Sequence, residues 1–208
     1  MTLDEMVTQV RYMVNRGNTL DAQLLPAIRK AVRWTERNHS LSYMHRLVTF
    51  RVVFQDGEVR FLPMPPGCKS FEFIRFRLAD GTYWHLRKYH PQEIGYDTHR
   101  VLPDGYWTDG NKRIVLESVP EGFLDGQMGY WRYTDLDALQ PTDTHWLFEH
   151  ADDVIEARSM LNLLPIMGAN ELRPAYEANL NEALRTLVGA DEIFKEGPTG
   201  SAKMNYAG

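Results

Sequence analysis

Residues 143–188 decide how this chain is read. They begin Asp143-Thr144-His145-Trp146-Leu147-Phe148-Glu149-His150, continue as a helical run from about Ala151 to Leu164, break at Gly168, and resume as a second helical run to Val188. Val154, Ala157, Leu161 and Leu164 recur at three- and four-residue spacing, and Leu172, Tyr176, Leu180, Ala183 and Leu187 repeat the pattern. Each run therefore predicts a helix with one apolar face. The short Pro165-Ile166-Met167-Gly168 connection predicts that the two pack antiparallel. Asn170 is read as the cap of the second helix, with Pro174 just inside its start. After Gly189 the periodicity decays, and the remainder reads as an extended arm.

Working outward, the N-terminus predicts a second helix pair. Thr2 and Glu5 stand three apart, the spacing of a capping box in which each side chain satisfies a free amide of the other. Leu3, Met6, Val7, Val10, Met13 and Val14 form the apolar stripe, and Gly17 ends the helix. Asp21 is read as the cap of the next helix, whose apolar face is Leu25, Ile28, Val32 and Thr35 with Trp34 beside it, and whose Pro26 falls in the early turns. Its opposite side carries Arg29, Arg33 and Arg37, with Lys30 adjacent.

Between the helix pairs, from about Arg46 to Tyr133, the texture is β. Five Asp-Gly pairs, at 56–57, 80–81, 104–105, 109–110 and 125–126, suit tight hairpins because glycine tolerates positive φ. Val48–Phe54 is expected to pair with Val59–Leu62 across the first, and Ser70–Leu78 with Tyr83–Lys88 across the second. Further strands are read at Arg113–Glu117 and Gln127–Tyr133. The alternation in Phe71–Leu78 changes phase between Phe73 and Ile74, which predicts a bulge or a strand buried on both sides. Pro63, Pro65 and Pro66 mark a turn or an edge.

Composition narrows the class. The 208 residues are 43% hydrophobic and 25% charged, ordinary for a globular protein, and no apolar run approaches the roughly 18 residues that span a bilayer. The acidic N-terminal helix is not the pattern of a secretory signal. Cys68 is the single cysteine, which excludes an internal disulfide and a cysteine-cluster metal site. Residues 143–208 hold eleven acidic and five basic side chains, whereas residues 1–142 hold seventeen and eighteen. A nucleic-acid reader more usually presents a basic face. An acidic block is ordinarily a solvated helix surface, and it also suits a passage through which DNA slides without sticking.

No motif for chemistry emerges. Phosphate-binding and dinucleotide-binding glycine patterns are missing, as is a nucleophile elbow. His85, His90 and His99 with Asp97 could converge on a metal, though separate histidines are the commoner case. Asp152-Asp153 reads as an acidic helix start favoured by the dipole, not a catalytic pair. Trp84, Trp107, Trp131 and Trp146 in or after the β segment are either core or a base-stacking platform. The Arg29/Arg33/Arg37 stripe has three readings: a solvated face, a partner for acidic side chains on a neighbouring copy, or a phosphate contact.

The order of elements resembles the head-to-tail adaptor (connector) family of tailed bacteriophages. The likeness rests on Tyr130-Trp131-Arg132-Tyr133, the loop Leu136–Leu139, His145-Trp146-Leu147, and the helical stripes that run to Leu187. His145 stands where the family often has asparagine, and Ala151 where proline is common. The resemblance implies an α+β protein with a four-helix bundle-like core: an N-terminal helix pair (1–44), an inserted antiparallel β module (45–140), a C-terminal helix pair (141–189) and an extended arm (190–208). It implies a structural role without catalysis, cofactor or metal. The partners would be the portal ring, tail or nozzle proteins and further copies in a ring, commonly of twelve. DNA would pass through the lumen without sequence-specific binding on its way out of the capsid, and no membrane is involved. The protein would sit at the head–tail junction of the virion after assembly in the host cytoplasm. Phe194, Lys195, Lys203, Met204 and Tyr206 would contact the portal. Arg29, Arg33 and Arg37 would meet Glu177 and Glu182 of a neighbour.

Two other classes compete. One is a hydrolase using carboxylates such as Glu93 and Asp97. The other is a nucleic-acid module using the sheet aromatics, whose binding would be strongly salt-dependent.

Overall fold

The computed structural model describes residues 1–14, 20–54, 61–90, 102–110, 113–116 and 122–196. The protein is α+β and divides into two compact units, a helical one formed by the two ends of the chain and a β unit spanning Met44–Tyr133.

The helical unit contains α1 (Leu3–Val14), α2 (Asp21–Asn38), the short α3 (Trp146–His150), α4 (Asp152–Met167) and α5 (Arg173–Glu196). The capping box is present: Thr2 N donates to Glu5 Oε2 at 2.8 Å, and Glu5 N donates to Thr2 Oγ1 at 3.2 Å. Two further first-turn amides of α1 reach the segment before α3, Leu3 N donating to Asp143 O and Asp4 N to Pro141 O. The free amides of a helix start are thus satisfied by its own side chains and by distant backbone.

Helix α4 is the centre of this unit and packs against α1, α2, α3 and α5. Its buried residues lie on nearly every side, from Val154, Ile155 and Ala157 through Ser159, Met160, Leu161, Leu163 and Leu164, so the expected stripe is only part of what it buries. Gly168 takes the left-handed conformation (φ 68°) that ends α4, the usual use of glycine there.

Four helix details differ from expectation. Asn170 does not cap α5; it opens a short 3-10 turn (Asn170–Leu172) ahead of that helix, and Ala169 holds the cap position of the turn. Asp21 does not cap α2; Leu20 holds that position, and Asp21 instead accepts from Arg11 Nε at 2.8 Å. Leu24 is the more deeply buried neighbour of Leu25. Helix α5 does not end at Gly189 but continues to Glu196. A single glycine costs a helix only about 1 kcal/mol, and Asp191 just beyond it is anchored, accepting from Ser42 N at 2.7 Å and Ser42 Oγ at 2.6 Å. Gly17 lies outside the described residues.

The β unit has strands β1 (His45–Phe54), β2 (Phe61–Pro63), β3 (Cys68–Arg77), β4 (Tyr83–His85), β5 (Arg87–Lys88), β6 (Gly105–Asp109), β7 (Arg113–Leu116) and β8 (Gly122–Arg132). They form two four-stranded sheets, ordered β1-β8-β3-β4 and β2-β7-β6-β5. Both sheets contribute to one core: Ile74, Phe76, Met128 and Tyr130 from the first, Leu62, Tyr106, Ile114 and Leu116 from the second, and Leu86 from the link between β4 and β5. The β3–β4 hairpin across Asp80-Gly81 forms over Arg75–Arg77 and Tyr83–His85, with Gly81 at φ 87° and Asp80 Oδ1 accepting from Thr82 N, but Arg87–Lys88, expected to extend it, pairs with β6 instead. The β1–β2 hairpin is not. β1 pairs along its whole length with β8, and β2 pairs with β7. The pairing is antiparallel except between β5 and β6. Register shifts in β3 fall between Cys68 and Ser70 and between Phe71 and Phe73, earlier than the phase shift implied, and Ile74, Arg75 and Phe76 are buried in succession.

Asp125-Gly126 is not a turn either. It lies inside β8, where Asp125 takes a two-pronged contact from Arg51 at 2.6 and 2.9 Å. A Cβ on Gly126 would stand 2.5 Å from the Phe50 ring and 3.1 Å from the Arg75 carbonyl. The glycine makes room for an aromatic ring of the adjacent strand. Gly126→Ala is therefore expected to destabilise the β unit by about 1–3 kcal/mol through overpacking. Urea unfolding of the variant would show this; a midpoint equal to that of the wild type would refute it.

Candidate assembly surface

The basic residues of α2 do not form one uniform open face. Arg29 Nη1 lies 3.4 Å from Asp137 Oδ1, and its Nε is buried. Arg33 Nη1 lies 3.8 Å from the buried carboxylate of Glu36. Lys30 and Arg37 are exposed. On α5, Glu177 accepts from Arg173 Nε at 3.0 Å, whereas Glu182 is exposed and in no ion pair among the described residues. Phe194 and Lys195 fall in the last turns of α5, and Lys203, Met204 and Tyr206 lie outside the described residues.

Beside this surface lies a buried polar network that the sequence did not reveal. Glu36, inaccessible to solvent, accepts from Tyr43 Oη at 3.0 Å, from Thr134 N at 3.1 Å and from Thr134 Oγ1 at 2.5 Å. Thr134 Oγ1 in turn lies 2.8 Å from His145 Nε2. His145 caps α3, its Nδ1 accepting from Leu147 N at 3.2 Å. A ring nitrogen that accepts carries no proton, so the neutral imidazole holds its proton on Nε2 and donates it to Thr134. Burial pushes the His145 pKa down to about 4, in keeping with that uncharged state. Tyr43 stacks on Trp146, ring centres 4.9 Å apart, and sits edge-on to His145. The one available signal was positional: Glu36 falls on the same side of α2 as Ile28, Val32 and Thr35, a carboxylate placed toward the apolar face.

A second feature joins α2 to α4. The Arg158 guanidinium carbon sits 4.5 Å from the centre of the Trp34 ring. Burial, then the nearby Arg173, lowers the proton affinity of Arg158, and Glu177 opposes them. At the start of α4, burial and then Asp152 and Asp153 raise the Glu156 carboxyl.

The β unit offers little ready chemistry. Burial pushes the Cys68 thiol up to about 11 and the Tyr106 phenol up to about 12, so neither is an activated nucleophile at neutral pH. Trp84 donates to Pro103 O at 3.0 Å, and Trp131 sits edge-on to His45. Among the described residues no three histidine, cysteine or carboxylate side chains gather as metal ligands. Glu93, Asp97 and His99 lie outside them. No described helix is long and apolar enough to cross a membrane.

The family model described as SU10 adaptor protein matches residues 1–201. The chain belongs to the SU10 adaptor family. This makes it a tailed-phage head-to-tail adaptor, with a structural role in the virion and in tail assembly. No curated protein gives a match. Membership of the SU10 adaptor family accords with a structural role.

Proposed function

We propose that this SU10 adaptor forms a closed ring beneath the portal, extends the DNA channel and presents the docking surface for the tail. The match over residues 1–201 carries the reading. In this arrangement α1, α2, α4 and α5 act as a four-helix bundle-like wall, and the ring has twelve copies. Ring contacts are heterologous, one patch meeting a different patch on the next copy until the circle closes. Basic side chains of α2 (Arg29, Arg33, Arg37) face acidic ones of α5 (Glu177, Glu182) on the next copy, with Arg37 and Glu182 foremost, because Arg29, Arg33 and Glu177 already approach Asp137, Glu36 and Arg173 of their own chain. The surplus of eleven acidic over five basic side chains in residues 143–208 suits a channel wall that DNA must pass without adhering.

The C-terminal segment, with Phe194, Lys195, Lys203, Met204 and Tyr206, reaches the portal, and the β unit faces tail or nozzle proteins. The protein assembles in the host cytoplasm and ends at the head–tail junction, where the genome leaves. Negative-stain electron microscopy of the purified chain, alone and mixed with portal rings, tests this. A ring, or an added layer on the portal, is expected. A monomer that ignores the portal would overturn it.

A further inference from the structure

Arg158 is a partly buried cation short of counter-charge. Its Nε is buried with no acceptor, and no carboxylate stands within ion-pair distance of it among the described residues. Glu177, the acidic group that acts on it, is already bound to Arg173. What Arg158 has is the face of Trp34, and a π face offsets the loss of water only in part.

Its surroundings are basic. Lys30, Trp34 and Arg37 stand at i, i+4 and i+7 on α2, one side of that helix. Lys30 and Arg37 are exposed, and Arg37 makes no hydrogen bond or ion pair among the described residues. Trp34 is therefore flanked by two exposed cations of its own helix and covered by a third from α4. This differs from the stripe read in the sequence, because Arg29 and Arg33 are directed at Asp137 and Glu36 of their own chain.

We propose that this basic patch centred on Trp34 and Arg158 is one half of the contact between copies, and that it receives carboxylates from α5 of a second copy, Glu182 first among them. The proposal rests on the ring reading above and specifies its interface. Charge favours a second copy as occupant. The acidic complement is on the same chain, with Glu182 and Glu192 exposed on α5 and in no ion pair among the described residues. Nucleic acid fits less well, because its phosphates would meet the acidic surplus of residues 143–208.

The test is a charge swap read by mass photometry and electron microscopy, with and without portal rings: Arg158→Glu, Arg37→Glu, Glu182→Arg, and each arginine reversal combined with Glu182→Arg. Circular dichroism checks helix content. Each single reversal is expected to weaken self-association roughly tenfold or more, and a combination to recover most of it. Should Arg158→Glu lose its helical signal, the exposed Arg37→Glu and its combination decide. A wild-type ring with single variants that assemble equally well, or combinations no better than their parents, would overturn this interface and leave the ring reading intact. A wild-type chain that stays monomeric even on portal rings would overturn both. DNA binding lost in Arg37→Glu, with self-association unchanged, would assign the patch to phosphate instead.

Discussion

Glu36→Ala is expected to destabilise the helical unit by about 3–5 kcal/mol, the usual cost of removing one member of a buried charged network. The cause is not loss of packing alone. Thr134 N, Thr134 Oγ1 and Tyr43 Oη all donate to this carboxylate, and each would be left without its acceptor in a site closed to water. Unsatisfied buried donors cost about 1–3 kcal/mol apiece, and a water entering the cavity would recover part. Glu36→Gln keeps one acceptor oxygen in place and should cost less than half as much. Urea unfolding followed by helical circular dichroism measures both. The assignment fails if alanine costs under about 1 kcal/mol, or if the two variants are equal.

Mild acid should also loosen the helical unit, through His145. Its pKa is about 4 when folded against about 6.5 in an unfolded chain. The folded state therefore binds fewer protons between those values, and stability is lost as pH falls through that window. The contribution is complete above about pH 6.5 and gone by about pH 4, roughly 3 kcal/mol in all and about 2 kcal/mol between pH 7 and pH 5. Protonating Nδ1 would also remove the acceptor that caps α3. Glu156 opposes the trend, since a carboxyl raised by burial favours the folded state as pH falls. His145→Asn retains a capping oxygen and removes the titration. Thermal unfolding of this variant at pH 7 and pH 5 should show a much smaller drop than the wild type. Equal drops would exclude His145 as the source.

Most local signals in the sequence held where the structure is local, the cap read at Asp21 being an exception. The capping box at Thr2 and Glu5, the stripe through Val154 and Leu164, the stop at Gly168 and the turn at Asp80-Gly81 all depend on residues a few positions apart. The β pairing was not legible for the converse reason. β1 pairs with β8, far along the chain, and an Asp-Gly pair advertises only its nearest neighbours. Asp125-Gly126 misled because a glycine that yields space to Phe50 looks, in sequence, like one that turns. The continuation of α5 past Gly189 depended on Asp191 finding Ser42. The buried Glu36 depended on Tyr43 and Thr134 converging on it, and Arg158 on its seat over Trp34. Periodicity identifies a helix face but not the polar group that another segment brings to meet it.

The ends of the β unit have a consequence for how such a protein changes over time. The chain leaves the helical unit after Tyr43 and returns at Thr134, and both residues are fastened to the same carboxylate. The excursion thus departs from and comes back to one fixed clasp, whatever lies between. A different cassette of comparable or quite unlike size could be exchanged at that clasp while the helices kept their own folding instructions. A lineage would then have a place to remodel the β unit with few compensating substitutions in the helices.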